Sequence, residues 1–472
     1  MTLIKSIAGI RGTIGGTAGD NLTPIDIVKF TSAYATWVRR AALNDGSGAA
    51  EASKKRLKVV VGRDARISGA MVEALVHGTL TGCGVDVIDA GLCTTPGVEM
   101  AVVHYGADGG IILTASHNPR QWNALKLLDS RGEFLNAEAG AEILRMVESG
   151  EFTYPQVDEL GRVIERVDFL PLHIAAVLAL PAVDAEAVRA KKFRVAVDAV
   201  NSVGGVAIPA LLEALGCQTV CLNCEPTGDF AHNPEPLPEH LTEISTAVVR
   251  EKADLGVVVD PDVDRLALIN EDGTMFGEEY TLVVVADYVL GATKGAKNTV
   301  SNLSSTRALN DITRRHGGEY FAAAVGEVNV VARMKETGAV IGGEGNGGVI
   351  YPELHYGRDA LVVVALFLTH LARSGKTMTT LRATYPEYVI SKNRIDLAPD
   401  MDVDAILEAV KTSCDDGVVN DVDGVKIDYP DGWVHLRRSN TEPIIRVYSE
   451  AASREAADAL AKRVMIKIDS LQ

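Results

Sequence analysis

Short apolar runs recur along the chain and alternate with stretches of helical period. Residues 57–61 (Leu-Lys-Val-Val-Val) form a nearly continuous apolar strand, residues 68–81 follow as a helix, and 85–88 make the next strand. A helix near 96–104 leads to a third run, Gly-Gly-Ile-Ile-Leu at 109–113. Runs that are apolar on both faces and separated by helices predict parallel sheets covered on both sides. The pattern repeats at 194–198, 206–215 and 219–222, then at 255–259 with a helix from about 281 to 290, then at 298–301, 306–316 and 340–341. It changes near the C-terminus. There 418–429, 433–437 and 444–450 are closely spaced strands, with helices near 403–412 and 453–468, which predicts an α+β unit with an antiparallel sheet. The expected organisation is three mixed or mainly parallel α/β/α domains, 1–165, 166–274 and 275–387, followed by a smaller α+β domain, 388–472. Residues 44–53 are a polar insertion between a helix and a strand, expected to be a mobile surface loop.

Composition narrows the picture. A chain of 472 residues is too long for one ordinary core, and 47% hydrophobic with 23% charged residues are globular values. A formal charge of −17 argues against nucleic acid or an acidic membrane as a partner. It also requires that any anionic substrate be drawn in by a local cationic cleft. No apolar run has the length of a membrane span, and residues 1–5 lead into no signal-peptide h-region or cleavage site. The expectation is a cytoplasmic monomer or homodimer. Cys217, Cys221 and Cys224 have the C-x3-C-x2-C spacing of an iron–sulfur site. Because 217–222 falls where a strand should follow a helix, buried, unligated cysteines are expected instead. Cys83, Cys93 and Cys414 are isolated, and reduced thiols are expected.

Four polar segments carry candidate chemistry. The run at 109–113 ends in Thr114-Ala115-Ser116-His117-Asn118-Pro119, which delivers a serine at a strand end. No G-x-S-x-G elbow is present, and His117, being the next residue, need not reach the Ser116 hydroxyl. The strand at 255–259 ends in Asp260-Pro261-Asp262-Val263-Asp264-Arg265. Three carboxylates so close repel one another unless a cation lies among them, and oxygen-only ligation selects Mg2+. The competing interpretation, a solvated Asp-rich turn, does not explain their place directly after buried valines. Gly343-Glu-Gly-Asn-Gly-Gly348 satisfies G-x-G-x-x-G, but a dinucleotide loop opens into a helix, and 349–355 intervenes here. Arg437-x-Ser439-Asn440-Thr441 offers a guanidinium, two hydroxyls and an amide, a phosphate-binding composition that could also be a polar hairpin.

Together with Gly9-Ile10-Arg11-Gly12, these segments resemble the α-D-phosphohexomutases, which move phosphate between the 1- and 6-positions of a hexose, and the resemblance spans nearly the whole chain. It implies an isomerase-class intramolecular phosphotransferase with four domains around a central cleft. It implies that Ser116 carries a phosphoryl group and passes through a hexose 1,6-bisphosphate, the intermediate or activator. A phosphate oxygen on Ser116 would then complete the Mg2+ site of Asp260, Asp262 and Asp264. The resemblance places Arg11, His117, Lys126 and Arg265 beside the transferring group, where positioning and charge neutralisation matter more than a strong base. It assigns sugar recognition to Glu344 and Asn346, and the non-reacting phosphate to Arg437, Ser439, Asn440 and Thr441, with Arg446 assisting. Two departures from the family pattern stand out: Asn346 replaces a common serine, and Gly348 stands where many members have histidine. In Val325-Gly326-Glu327-Val328, many phosphomannomutase/phosphoglucomutases have histidine after the glycine, whereas bacterial phosphoglucosamine mutases have an acidic residue. Glu327 could pair with a 2-ammonium group, bond hydroxyls only, or pair with Arg333. The expectation is a phosphoglucosamine mutase, interconverting glucosamine 6-phosphate and glucosamine 1-phosphate. The alternatives are a phosphomannomutase/phosphoglucomutase of broad specificity and a catalytically inactive sugar-phosphate sensor. The only partner expected is a phosphorylated hexose, with no nucleic acid and no membrane.

Overall fold

The computed structural model describes residues 2–6, 9–44, 56–397, 401–412, 416–439 and 444–469. The expected surface loop beyond Asn44, Cys414, Asn440 and Thr441 lie outside the described residues. Two compact units account for the chain: Met1–Glu278 with Gly348–Thr379, and Glu279–Gly347 with Thr380–Gln472.

The first unit contains a seven-stranded sheet in the order Ile4–Ser6, Gly9–Thr13, Trp122–Leu128, Gly109–Leu113, Lys58–Arg63, Asp86–Leu92, Val163–Arg166. Its centre is parallel, and Trp122–Leu128 and Gly9–Thr13 add to it antiparallel. The continuous apolar runs have a direct cause. Alternate residues of a strand point to opposite faces. Val59, Val61, Ile111 and Leu113 join a core with Phe30, Tyr34, Val72, Val76 and Met146 of the helices Pro24–Asn44, Gly69–Gly82 and Ala137–Ser149. Val60, Ile88, Ile112 and Leu128 join a separate core with Val98, Ala101 and Val102 of the helix Thr95–His104. Both faces are therefore buried, and the sheet ends deliver polar loops.

A second sheet has the order Leu266–Ile269, Leu255–Val259, Arg194–Asp198, Gln218–Leu222. Here one expectation fails. Gln218–Leu222 is an edge strand, so Cys221 is exposed and Cys217 and Cys224 are half-buried rather than enclosed. A strand paired on one side only cannot be covered as a central one is. Among the described residues, no cysteine belongs to a cluster with metal-ligand geometry. The helix Ala360–Ser374, not anticipated, is buried almost throughout; Phe367 meets Phe276 edge to face at 5.8 Å.

In the second unit, Tyr320–Ala323, Thr299–Asn302 and Ile341–Gly343 pair in parallel in that order. A five-stranded antiparallel sheet follows, in the order Val389–Asp396, Ile444–Ala451, Gly432–Arg438, Val425–Tyr429, Val418–Asn420. The single strand expected at 418–429 is a hairpin. Gly424 turns it with φ of +70°, and a Cβ there would lie 2.1 Å from the Leu436 carbonyl oxygen. The strand Val389–Asp396 was not anticipated because its sequence, Val-Ile-Ser-Lys-Asn-Arg-Ile-Asp, has no apolar run.

Candidate active site

The strand Gly109–Leu113 places Ser116 in a loop with φ of +48°, in the left-handed region that costs a non-glycine residue free energy. A buried network holds it there. The Ser116 N–H donates to Thr114 Oγ1 (2.9 Å), and that hydroxyl donates to Asp64 Oδ2 (2.7 Å). Arg66 donates from Nε to Asp64 Oδ2 (3.0 Å) and from its Nη atoms to the carbonyl oxygens of Ser116, Asn118 (2.8 Å), Pro119 (2.9 Å) and Trp122 (3.0 Å). Burial raises the Asp64 pKa, with Arg66 and Thr114 opposing it. Neither Asp64 nor Arg66 was singled out from the sequence. The available signal was Gly62-Arg-Asp-Ala-Arg66, a charged cluster directly after a buried strand.

The strand Leu255–Val259 is wholly buried and carries Asp260, Asp262 and Asp264 inward with it. One carboxylate oxygen from each lies within 4.8 Å of the others. The loop is held from several sides. Val263 has φ of +63°, a rare conformation for a β-branched residue, and its carbonyl accepts from Ala360 N–H at the start of the helix Ala360–Ser374 (3.2 Å). Asp260 Oδ1 accepts from the N–H groups of Asp264 and Arg265, each at 3.2 Å. Thr95, opening the helix Thr95–His104, donates from Oγ1 to Asp262 Oδ2 (2.6 Å) and from N–H to the Asp262 carbonyl (2.9 Å).

The fold brings the two motifs together: Ser116 Oγ donates to Asp260 Oδ2 at 2.7 Å. Lys126 Nζ lies 2.7 Å from Asp262 Oδ2 and 3.5 Å from Asp264 Oδ2. Arg265 Nε is 3.8 Å from Asp264 Oδ1, and Arg358, unforeseen, donates from Nη2 to Asp264 Oδ2 at 2.6 Å. Burial disfavours charge on the Lys126 ammonium, but Asp262 and Asp264 outweigh it and hold the pKa above its ordinary value. Asp262 is likewise buried, yet Lys126 and Thr95 keep its pKa below the usual range. Asp260 is pushed well upward by burial, then by Asp264 and Asp262. His117 is driven well below its ordinary value by Arg265, burial and Arg11, so its ring is neutral near pH 7. Arg11 Nη1 reaches Asn118 Oδ1 at 3.4 Å.

Beneath Arg358 lies a buried ionic cluster. Asp359 accepts from the N–H of Leu361 (2.8 Å) and joins His173 Nε2 (2.7 Å) and His355 Nε2 (3.3 Å) through Oδ2. His355 Nδ1 lies 3.3 Å from buried Glu99. Burial opposes a charge on His355, but Asp359 and Glu99 prevail and push its pKa up to about 10.

In the second unit, buried Glu344 follows the strand Ile341–Gly343. Its Oε1 accepts from Asn302 Nδ2 (2.8 Å) and from Gly326 N–H (3.1 Å), and Asn346 Nδ2 lies 3.4 Å from Oε2. The Gly343–Gly348 loop leads into a short strand, Val349–Ile350, not a helix. Gly326 has φ of +115°, which favours glycine. Glu327, also buried, opens the helix Glu327–Thr337, where the helix dipole favours a carboxylate. Arg437 Nε lies 3.2 Å from Asp423 Oδ2, which also accepts from Val325 N–H at 2.9 Å. The Arg437 loop and the 325–327 turn thus share Asp423. Across the antiparallel sheet, Arg394 stands opposite Arg446, and Arg446 opposite Arg437. Ser439 is buried, and its N–H donates to the Ile444 carbonyl (3.0 Å).

This order of motifs on this succession of sheets has known counterparts. The phosphoglucomutase/phosphomannomutase alpha/beta/alpha domains I, II and III match residues 4–154, 171–273 and 277–388, and the C-terminal domain of that family matches 393–467. The chain belongs to this family. It is 37% identical to a phosphoglucomutase/phosphomannomutase of Thermococcus kodakarensis over 94% of this chain and 95% of that one. It is 34% identical to a probable phosphoglucosamine mutase of Methanopyrus kandleri over 85% of this chain and 88% of that one. The crystal structure of a phosphoglucomutase/phosphomannomutase family protein from Burkholderia thailandensis superposes with a TM-score of 0.84 at 27% identity, covering 99% of this chain and 97% of that one. The family member described here is a phosphohexomutase-type enzyme, an isomerase that transfers a phosphoryl group. Its buried Asp260, Asp262 and Asp264 form a cluster able to hold a metal ion. Among the described residues, no helix is long and apolar enough to cross a membrane.

Proposed function

We propose that the protein interconverts glucosamine 6-phosphate and glucosamine 1-phosphate, through a phosphoserine at Ser116 and a glucosamine 1,6-bisphosphate. The observation that carries the amino-sugar reading is Glu327, a buried carboxylate directly after the left-handed Gly326 and one residue from the Gly326 N–H bond to Glu344. A carboxylate there suits a 2-ammonium group, because a charge-assisted hydrogen bond is stronger than a neutral one. Support also comes from the relatives named probable phosphoglucosamine mutase, at 32 to 34% identity. A second reading, a broad phosphomannomutase/phosphoglucomutase, is favoured by the name of the 37% identical relative.

The aspartate cluster fits Mg2+. Its donors are all oxygen, and Asp262 Oδ1 and Asp264 Oδ1 are buried with no hydrogen-bond partner. Asp260, Asp262 and Asp264 would hold the ion, which when bound supplies positive charge to the oxygens of the transferring phosphoryl group. The remaining work falls to the chain. Arg66 and Asp64 fix the serine backbone, and Asp260 orients Ser116 Oγ. Lys126, Arg265 and Arg11 gather cationic charge around the serine loop of an otherwise acidic protein. His117, kept neutral by the neighbouring arginines, offers a hydrogen bond without adding charge. In the second unit Arg394, Arg446 and Arg437 form a cationic row across the sheet, beside Asp423, that would receive a phosphate. Ser439 adds a buried hydroxyl beside that row.

The test is kcat/KM for glucosamine, glucose and mannose phosphates in the wild type and in Glu327→Gln. The variant should lose roughly 1–3 kcal/mol of transition-state stabilisation with glucosamine phosphates beyond any loss with glucose phosphates, as for a charged hydrogen bond. Equal losses would remove the amino-sugar reading in favour of broad specificity. Intact-mass analysis of Ser116→Ala, with and without sugar phosphate, tests the phosphoserine: phosphate retained by that variant would place the carrier elsewhere.

A further inference from the structure

We infer that Glu73, His77 and Asp89 form a second metal site, separate from the aspartate cluster and suited to a zinc-type divalent ion. Glu73 and His77 stand one turn apart on the helix Gly69–Gly82, so their side chains share a face. Asp89 is carried by the neighbouring strand Asp86–Leu92. One ligand atom from each residue lies within 4.8 Å of the other two. Two of the polar atoms here are conspicuous: His77 Nε2 and Glu73 Oε1 are both sealed from solvent, and neither has a hydrogen-bond partner. Buried polar atoms are normally paired, and two such atoms in one cluster are accounted for by a shared ligand.

The donor set decides the class of ion. One imidazole nitrogen with two carboxylates suits zinc and its transition-metal neighbours, whereas Mg2+ prefers oxygen alone. Two arginines border the cluster, and Asp89 Oδ1 accepts from the Gly91 N–H at 2.9 Å. Arg63 Nε bonds Glu73 Oε2 at 3.2 Å, on the side away from the unpartnered Oε1. Arg166 Nε bonds Asp89 Oδ2 at 3.0 Å, but its side chain is 84% exposed and can swing into water at little cost. An ion held here ties the helix to the strand beside it. It acts as a clamp that stabilises the native state in proportion to its occupancy.

The test uses the full chain with Mg2+ in excess, so that the aspartate cluster is filled, and titrates zinc chloride. Zinc should raise the melting temperature of the wild type and shift the His77 Nε2 nitrogen resonance with one equivalent. His77→Ala and the volume-conserving Glu73→Gln should each weaken that response by roughly tenfold or more, as expected when a ligand is removed. Asp262→Asn should keep it. Circular dichroism and Mg2+-dependent turnover establish that the His77 and Glu73 variants are folded. An unmoved His77 resonance in the wild type, or the same zinc response in folded His77→Ala, overturns the proposal. A response lost in Asp262→Asn does so as well, because it would place zinc on the aspartates.

Discussion

Replacing Arg66 with methionine tests what holds the serine loop. The residue is 1% exposed, and its side chain donates to Asp64 and to four backbone carbonyls between Ser116 and Trp122. Methionine keeps much of the volume and removes every donor. The Pro119 carbonyl retains a partner in the Trp122 N–H (2.9 Å), but Asp64 becomes a buried carboxylate without its cation. Breaking a buried pair costs ~3–5 kcal/mol. At ~1.4 kcal/mol per tenfold, a loss of ~3 kcal/mol means that the loop opens roughly a hundredfold more often. Hydrogen exchange read by mass spectrometry on peptides covering 114–122 measures that opening, and the Ser116 N–H, bonded to Thr114 Oγ1, is the amide to follow. With Ser116 as the proposed phosphoryl carrier, turnover should fall with it, since a serine that leaves its geometry is no longer aligned for in-line transfer. Arg66→Lys should lie between the two, because an ammonium cannot fork to several carbonyls. Asp64→Asn combined with Arg66→Met should cost far less than the two single losses added, as for residues acting as a unit. Exchange in 114–122 that rises less than tenfold, or rises equally throughout the protein, would refute this account.

Three further outcomes follow from the same geometry. Asp262→Asn should lower kcat more than it raises KM if, as proposed, an ion on the cluster acts on charge in the transition state; undiminished turnover after exhaustive EDTA treatment and dialysis would exclude a metal requirement. Arg437→Ala should raise KM for phosphorylated sugars and increase release of the bisphosphate, because the proposed charge-assisted contact to phosphate is lost; a melting temperature that falls with the loss of the Asp423 pair while KM is unmoved would make Arg437 purely structural. His355 has a folded pKa of about 10, above the ordinary 6.5, so its stabilising contribution is complete below pH 6.5 and is lost as pH rises through 10. That contribution is of order 5 kcal/mol at most, and the melting temperature should fall more steeply between pH 7 and 10 in the wild type than in His355→Gln; parallel slopes would contradict it.

The readable parts of this chain are those whose cause is local. Val59–Val61 and Ile111–Leu113 are apolar without interruption, and a strand buried on both faces demands that wherever it occurs. Ser116 and the aspartates at 260–264 could be singled out because each lies directly after such a run, where a polar residue is carried to the sheet end. Residues paired across long stretches of sequence could not be seen this way. Arg66, Thr95, Arg358 and Arg394 read singly as ordinary polar residues. Thr95 meets Asp262 across 167 positions, and Arg358 meets Asp264 across 94. The cysteines show the same limit from the other side: Gln218–Leu222 has a strand's composition, but its place at the sheet edge, which leaves Cys221 exposed, depends on strand order. Side-chain type and periodicity thus determined which segments bury and which chemistry they carry to the sheet ends. Tertiary structure decided which charges neutralise one another, because pairing energy depends on distance and burial, and neither is a property of neighbours in sequence.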